Sequence, residues 1–445
     1  LSTVMKSHQR YVPLLKEGNV FSKLELSSEK IISTNFIVIS NGFKNSSNTI
    51  AKGNEKVLKA RFSDAKFFVE SDKKNSSEYR NEKLRAVSYL KGFGSVFQRV
   101  ERIIIIAEKI LSYLNDESLE DKKVLEAARF CKNDLSSEIV YEFPELQGII
   151  GGKYMKNEGF SEEVCLAVAE HYLPCFYKDA LPSTIYGAIV SISDKLETLI
   201  SIFISGKRPS GSSDPYALRR SLNGIIQIMW EFEIKLSFEN IFENLLDYWK
   251  LALPNLNFKK EQVLEDLIEF TEQRIINHLE ELSISKDLIK AVCFSEIGRD
   301  VRITNLINLK KRFNTIKYLK EKDNFIETQK VISRITKLAK NSSLKTDILY
   351  SESIVSKDFF EKDCEFKAYK LIKELEKLNS LPDWDYLKMF NLFEINVSNL
   401  NELFDNKKGV LFMTENKEIR NNRLNLIAVI RNYSLKIADF TLLNS

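Results

Sequence analysis

The sequence predicts a mainly α, multidomain protein. Three observations carry this reading. Helical periodicity dominates from about residue 79 onward, in segments separated by short Pro, Gly or Ser punctuation. Strand signals are confined to the first 50 residues. A chain of 445 residues, 44% hydrophobic and 29% charged, can bury substantial cores and suggests roughly two to four domains.

In the N-terminal part, "HQRYVPLL" and "NFIVISNG" read as short strands, the second closed by Asn-Gly. "GNEKVLKARFSDAKFFVE" follows as a helix, with Val57, Leu58, Ala60, Phe62, Ala65 and Phe68 expected inward. "DKKNSSE", residues 72–78, reads as a polar joint and the first boundary. Beyond it, the spacing predicts helices over 80–114, 121–142, 161–173, 184–204, 215–235, 238–251, 260–280 and 285–293. "EFPELQGIIGGKYMKNEGFSEE" reads as a long apolar loop packed against the helices, and "KNSSLKTDILYSES" as an exposed insertion. "YLKMFNLF" and the closing "NNRLNLIAVIRNYSLKIADFTLL" complete a second bundle. There Leu424, Leu426, Ile427, Val429, Ile430, Leu435 and Ile437 mark a buried helix.

Several function classes lose support on composition. No run of about 18 apolar residues exists, so no membrane span is indicated. No signal peptide opens the chain, and Leu1 in place of an initiator Met leads to the expectation of a segment from a longer protein. The five cysteines are scattered with no C-x-x-C pair, which fits a reducing cytosol. Only three histidines are present, too few for a multi-histidine metal site. His171 sits at a predicted helix end, where a favourable interaction with the dipole makes a structural role the better reading. His8 is left open between a phosphate contact and a strand edge. Glu142 and Glu145 flank Phe143-Pro144, and read as solvated acids in preference to an acid–base pair.

The stretch "SGKRPSGSSDPYALRRSLNGIIQIMW" first suggests a phosphate cradle. Gly206 and Gly211 have the spacing of a Walker loop, but Ser212 stands where the phosphate-reaching lysine belongs. The preceding segment is helical, whereas a Walker loop follows a strand. Asp214 reads instead as a helix N-cap, with Pro215 at the first helical position. Arg219 and Arg220 fall off the buried stripe and are either solvated charges or a grip on something acidic.

Net charge is only +4, but it is unevenly spread. Between Arg299 and Lys345 stand thirteen Lys or Arg against four acids. Such a stripe could hold a phosphate backbone or form the solvated face of two helices.

Long words in one order now carry a resemblance. "EFPELQGIIGGKYMKNEG", "AEHYLPCFYKDALPSTIYGAIVSISDKLETLISIF" and "SGKRPSGSSDPYALRRSLNGI" closely resemble the β subunit of the bacterial-type two-subunit glycyl-tRNA synthetase. Upstream "VMKSHQRYVP", "GNEKVLKARFSDAKFF" and "GSVFQRVERI" agree, as does downstream "FDNKKGVLFMTENKEIRNNRLNLIAVIRNYSLKIADFTLL". The likeness covers essentially the whole chain. It implies a small α+β remnant of a tRNA-contacting module at 1–75 and an HD-like helical domain at 76–235. A helical linker at 236–325 and a DALR-type anticodon-binding bundle at 326–445 would follow.

The resemblance implies a cytoplasmic ligase subunit that binds and positions glycine tRNA. A separate α subunit, in an α2β2 assembly, would use ATP and Mg for glycylation. This chain would bind no cofactor, no metal and no membrane of its own, and would hold no catalytic residue. Candidate tRNA contacts are Lys207, Arg208, Arg219 and Arg220 at one corner, with the α subunit as the alternative partner there. Lys310, Lys311 and Arg312 follow in the basic stripe, with Lys330 and Lys337. Arg420, Arg423 and Arg431 are candidates in the last helix. Phe390, Phe393 or Tyr433 are possible stacking partners, with core packing the better reading for Tyr433. "ETQKVISRITKLAK" departs from the family by lacking its usual Asn-Lys-Arg run.

The HD likeness raises a competing reading, a metal phosphohydrolase. Such a site needs His…His-Asp…Asp. Here "CKNDL" places Asn133 before Asp134, and Asp194 in "SDKLETL" could supply the last carboxylate, with no histidine near in sequence. Asp134 and Asp194 are therefore expected to be structural, paired with Lys132 or Lys195. A helical scaffold without an RNA role is the third reading.

Overall fold

The computed structural model describes residues 5–6, 10–16, 24, 32–114, 116–176, 178–211, 213–294, 305–379 and 384–444. His8, Arg299 and Arg302 lie outside the described residues. The described chain is mainly helical, with one two-stranded sheet. It forms two compact units, Leu1–Leu236 with Asn240–Leu267, and Ser237–Glu239 with Ile268–Ser445.

In the first unit, β1 (Val12–Leu15) pairs antiparallel with β2 (Ile32–Ile37), Val12 opposite Ile37. Helix α1 (Ser47–Asp72) follows. Leu58 and Ala65 are buried on it, but Val57 and Ala60 face solvent. Leu58 packs with Met5 and Tyr11 beside the sheet and Ala65 with Ile139, Val140 and Phe143, and Val57 and Ala60 fall outside that narrow stripe.

The polar joint after α1 is a latch. Arg80 on α2 (Ser77–Lys83) is 2% exposed and donates to the Asp72 and Asn75 carbonyls and to Glu158, 2.7 Å away. The Asp72 carboxylate accepts from the Glu138 and Ile139 amides at 2.9 and 3.1 Å, and from the Tyr154 hydroxyl at 3.1 Å. One acid thus caps the helix that begins at Glu138.

The single helix expected over 80–114 is two. Between α2 and α3 (Val96–Leu114) the chain folds into a tight loop, with Gly92 and Gly94 at φ +86° and +80°. Ser88 and Ser95 bridge across it. The expected 121–142 helix also breaks, into α4 (Asp121–Phe130) and α5 (Glu138–Glu142). The buried turn between them holds Lys132, Asn133 and Asp134.

The apolar "loop" contains α6 (Ile149–Asn157). Its Gly-Gly pair reads as a breaker, yet both glycines are interior and buried. A Cβ on Gly152 would lie 2.4 Å from the Cys165 carbonyl on α7 (Glu162–Glu170). Gly152 lets two helix backbones meet, and Gly151 makes room for the Asn133 and Asp134 side chains.

Helix α8 (Ile185–Ile204) is the axis of this unit. Thr184 caps it, accepting from the Gly187 amide at 3.1 Å. It is buried nearly all round, as a central helix must be, and packs on α3, α4, α7 and α9 (Leu218–Glu231). Helix α10 (Phe238–Ala252) buries Trp249, whose indole reaches Ser201. Helix α11 (Lys260–Glu281) follows.

The second unit holds α12 (Lys286–Cys293), α13 (Leu306–Lys320), α14 (Phe325–Ala339), α15 (Asp363–Asn379), α16 (Tyr386–Ile395), α17 (Val397–Glu402) and α18 (Lys417–Ile437). Helix α18 is its core, packed on α14, α15 and α16. All seven apolar positions read from the sequence are buried there. The stretch read as an exposed insertion is fastened down. Arg431 donates to the Leu344 carbonyl, Asn432 to those of Lys345 and Ile348, and Ser351 is fully buried.

Gly152→Ala tests the close approach of α6 and α7. The clash should cost about 1–3 kcal/mol, read as a lower urea midpoint at unchanged slope. An unchanged midpoint would mean that the two backbones part without cost.

Candidate functional site: a closed charge cluster and two basic surfaces

Helix α8 carries Asp194 and Glu197 into the first unit's interior. Four side chains answer them. Arg99 of α3 donates to both, with 2.8 Å to Asp194 Oδ1 and 2.8 Å to Glu197 Oε2. Arg102, one turn on, donates to Glu197 Oε1 at 3.0 Å, and Ser201 to the same atom at 2.8 Å. Lys132 is fully buried, with Nζ 2.9 Å from Asp194 Oδ2 and 2.8 Å from His171 Nε2. The same ammonium lies 3.8 Å over the Tyr172 ring. Burial works against the Asp194 charge, yet Lys132 and Arg99 hold its carboxyl well below the usual range.

Histidine 171 is brought to this cluster by the fold, although nothing near Asp134 or Asp194 in sequence announces it. Burial, and then the neighbouring Lys132 charge, push the ring well below its ordinary value. It is therefore neutral, with Nδ1–H donating to the Val168 carbonyl at 2.7 Å and Nε2 accepting from Lys132. The dipole interaction expected for a charged ring at this helix end does not apply.

The pairing of the two acids is also resolved. Asp194 pairs with Lys132. Lys195 instead donates to the Tyr172 and Leu173 carbonyls and to Ser191, and burial lowers it to about 8. Asp134 pairs with neither lysine. Its Oδ2 accepts from the Gly148 and Gly151 amides at 2.6 and 3.2 Å, at the start of α6. An ammonium thus stands between the histidine and the aspartate that a metal would need. Among the described residues no three His, Cys, Asp or Glu side chains are placed to hold a metal. Glu142 is also engaged, 2.9 Å from Arg61.

The first basic surface is the corner at 205–220. Asp214 does cap a helix, but from further back than expected. Ala217 is left-handed, α9 starts at Leu218, and the Asp214 carboxylate accepts from the Leu218 and Arg219 amides at 2.9 and 3.0 Å. Pro215 lies in the preceding turn. Lys207 donates to the Tyr216 hydroxyl at 2.9 Å, and Arg208 forks onto both oxygens of Asp266. Arg219 is half-buried. Arg220 is exposed, 5.4 Å from the centre of the exposed Phe176 ring.

The second surface lies on α14. Lys330, Arg334 and Lys337 repeat at i, i+4 and i+7, and all three are exposed on one face. The Arg334 guanidinium lies 4.1 Å over the Phe404 ring, itself 5.6 Å from Phe412. The adjoining loop exposes Leu411 and Met413 at 70% and 56%. Arg420 is half-buried and reaches the Thr414 carbonyl. Sequence reading counted Arg334 in the stripe without selecting it, and did not single out Phe404. The helical spacing of Arg334 with its two lysines was the available signal.

The other basic candidates are turned inward. Lys311 is exposed and Lys310 half-buried, but Arg312 is fully buried and donates from Nε to the Ile437 carbonyl. Arg423 is held by Glu365 at 3.0 Å and Glu361 at 2.6 Å, and ties down the Leu411 carbonyl. Arg431 ties the Ala339 and Leu344 carbonyls. In this arrangement these three arginines act as internal fasteners and present no guanidinium to a phosphate. Phe390 and Phe393 are also core, with Phe390 among the Phe325 and Phe440 rings, so neither offers a face for stacking. Tyr433 is buried, as its core reading requires.

One pH dependence follows from the cluster. Burial pushes Asp134 up to about 6, from 3.8 in an open chain. The folded state then keeps a proton that the unfolded state has released. That stabilisation is complete below about pH 4 and lost as pH rises through 6. In Asp134→Asn this component is absent, so its melting temperature relative to wild type should climb between pH 4.5 and 7. A constant difference across that window would refute the assignment.

Comparison with known proteins comes last. A family model described as glycyl-tRNA synthetase beta subunit matches residues 1–294. Glycine–tRNA ligase beta subunits of Gloeothece citriformis and Trichodesmium erythraeum are each 33% identical, over 445 and 444 residues. Each match covers 99% of this chain, and 61% and 60% of the relative. The beta subunit of Clostridioides difficile is 33% identical over 443 residues, covering 99% of this chain and 59% of its own length. The chain thus spans about three-fifths of the length of the curated relatives it matches. With a matched model over most of the chain and relatives aligned across it, the chain belongs to the glycyl-tRNA synthetase beta-subunit family.

Proposed function

We propose that this chain is the tRNA-binding part of a glycine–tRNA ligase, working with an α subunit, in an α2β2 assembly, that activates glycine with ATP and Mg. The single observation that carries the RNA role is the α14 face. Three exposed cations are regularly spaced there, beside an aromatic ring and an exposed apolar loop. Phosphate contacts set the position of an RNA, and unstacked bases are read by stacking and edge contacts. Lys330, Arg334 and Lys337 supply the first kind. Phe404, with Leu411 and Met413, supplies apolar surface for the second. Arg420 adds charge at the edge of the same loop.

The corner at Lys207, Arg208, Arg219 and Arg220 is a second contact, to the RNA or to the α subunit. Lys207, Arg208, Arg220 and Phe176 are its exposed elements. The chain's effect on rate then comes from holding the acceptor end against the α-subunit site, where correct placement lowers the barrier. A cytoplasmic setting fits this reading. No helix among the described residues is long and apolar enough to cross a membrane.

The phosphohydrolase alternative is disfavoured by Lys132, which fills the position between His171 and Asp194.

The triple variant Lys330→Gln, Arg334→Gln, Lys337→Gln tests the proposal. Binding of glycine tRNA at 0.1 M salt should weaken about 10- to 100-fold, and the slope of log K against log salt should flatten by about 2 to 3. An equal loss for an unrelated tRNA would make this face a phosphate grip only. Unchanged binding and slope would remove α14 from the RNA interface.

A further inference from the structure

The first unit holds a cleft that the proposed function does not use. It lies between β2 and α1 and has a volume of about 730 Å³, a size that suits small-molecule ligands. Its floor is apolar. Phe36, Val38, Leu58 and Phe62 line it, and the four belong to one small cluster with Met5 and Tyr11. Leu58 is buried, but Phe36, Val38 and Phe62 are only half-buried, so apolar surface is left facing the cleft.

Several of the polar groups on the wall are already engaged. The Ser33 and Ser40 hydroxyls accept from the Asn35 and Gly42 amides at 3.2 and 3.1 Å. Asn54 Oδ1 accepts from the Tyr11 hydroxyl at 2.9 Å, which leaves the Asn54 amide N–H groups unspent. Glu55 and Lys59 are engaged by nothing. Both are exposed on the cleft wall of α1, one turn apart, and neither has an ion-pair or hydrogen-bond partner among the described residues. A glutamate four residues before a lysine is the spacing that closes an ion pair on an isolated helix. Here the pair stays open, and a carboxylate and an ammonium stand side by side next to an apolar floor.

We propose that this cleft binds a small zwitterion with an apolar tail, of the class of the aromatic and branched α-amino acids. Glu55 takes the α-ammonium and Lys59 the α-carboxylate. The Asn54 amide donates to the carboxylate, and the tail lies on Phe36, Leu58 and Phe62. Charge complementarity selects the class. A lone anion is repelled by Glu55 and a lone cation by Lys59, whereas an ion with both signs a few bonds apart answers both. Covering the aromatic floor adds apolar burial. Glycine has no tail to contribute, so the cleft is not a second site for the amino acid of the proposed ligase. The inference concerns β2 and α1 alone and does not depend on RNA binding at α14.

Saturation-transfer NMR titrations of the 445-residue chain test this, with L-phenylalanine, L-leucine and glycine as probes. Phenylalanine and leucine should bind saturably with a dissociation constant on the order of 1 mM, the range for ligands of this size, and glycine should give no saturable signal. Two substitutions at exposed helix positions divide the charges of the ligand. Lys59→Gln should weaken L-phenylalanine about 5- to 10-fold, but leave the binding of L-phenylalanine amide, which has no carboxylate, unchanged. Glu55→Gln should weaken L-phenylalanine by the same factor, and leave phenylpropionate, which has no ammonium, unchanged. Absence of saturable binding, equal binding of glycine, or a phenylalanine affinity unchanged in both variants would overturn the proposal. So would a concentration-dependent dimer that forms in place of ligand binding and is lost in either variant, because a second copy of the chain would then fill the cleft.

Discussion

Helix α8 carries two carboxylates, Asp194 and Glu197, into a part of the first unit that water does not reach. Everything around it is arranged to answer those charges. Arg99 and Arg102 come from α3, Lys132 from the turn after α4, and His171 from the end of α7. Hydrogen bonds of this kind are strong inside a protein and costly if half-made. Each of these three contributing helices therefore has one position and one register in which the cluster closes. The same closure makes the cluster chemically quiet. The His171 lone pair is directed at an ammonium, and the Asp194 oxygens are both taken, so neither is available to a metal or a substrate.

The second unit uses charge differently. Its core is apolar, and its buried arginines act on backbone carbonyls and loop acids. Arg423 joins the chain at Glu361, Glu365 and Leu411, and Arg431 joins it at Ala339 and Leu344. Long irregular segments have many carbonyls to satisfy, and a five-donor guanidinium satisfies several at once. Cations spent this way are lost to any nucleic acid. The outer face of α14 keeps its cations free of that duty, and Lys330, Arg334 and Lys337 point away from the core.

This sorting explains which candidate residues sequence reading could place. A basic residue on a helix is read as a surface charge by default, because few buried ones exist. Arg312, Arg423 and Arg431 are the exceptions, and each has its partner more than 50 residues away in the chain. No local pattern encodes such a partner. Lys330 and Lys337 were legible because their helix has a clear apolar side, so the opposite side had to be wet. Phe404 was missed because a single aromatic after a short helix has no periodic signal.

The sequence by itself determined the helical class, the two buried axial helices and the family likeness. Apolar residues at helical spacing in α8 and α18 can be satisfied only by burial, whatever surrounds them. Tertiary structure alone decided where helices stop and what the interior polar groups do. Gly151 and Gly152 look like breakers until the Asn133–Asp134 turn is seen against the first and α7 against the second. Asp72 looks like part of a solvated joint until it caps a helix that begins 66 residues later. His171 looks like a helix-end charge until Lys132 fixes it as neutral. In each case the deciding partner is remote in sequence, and only the folded chain brings it within hydrogen-bond distance.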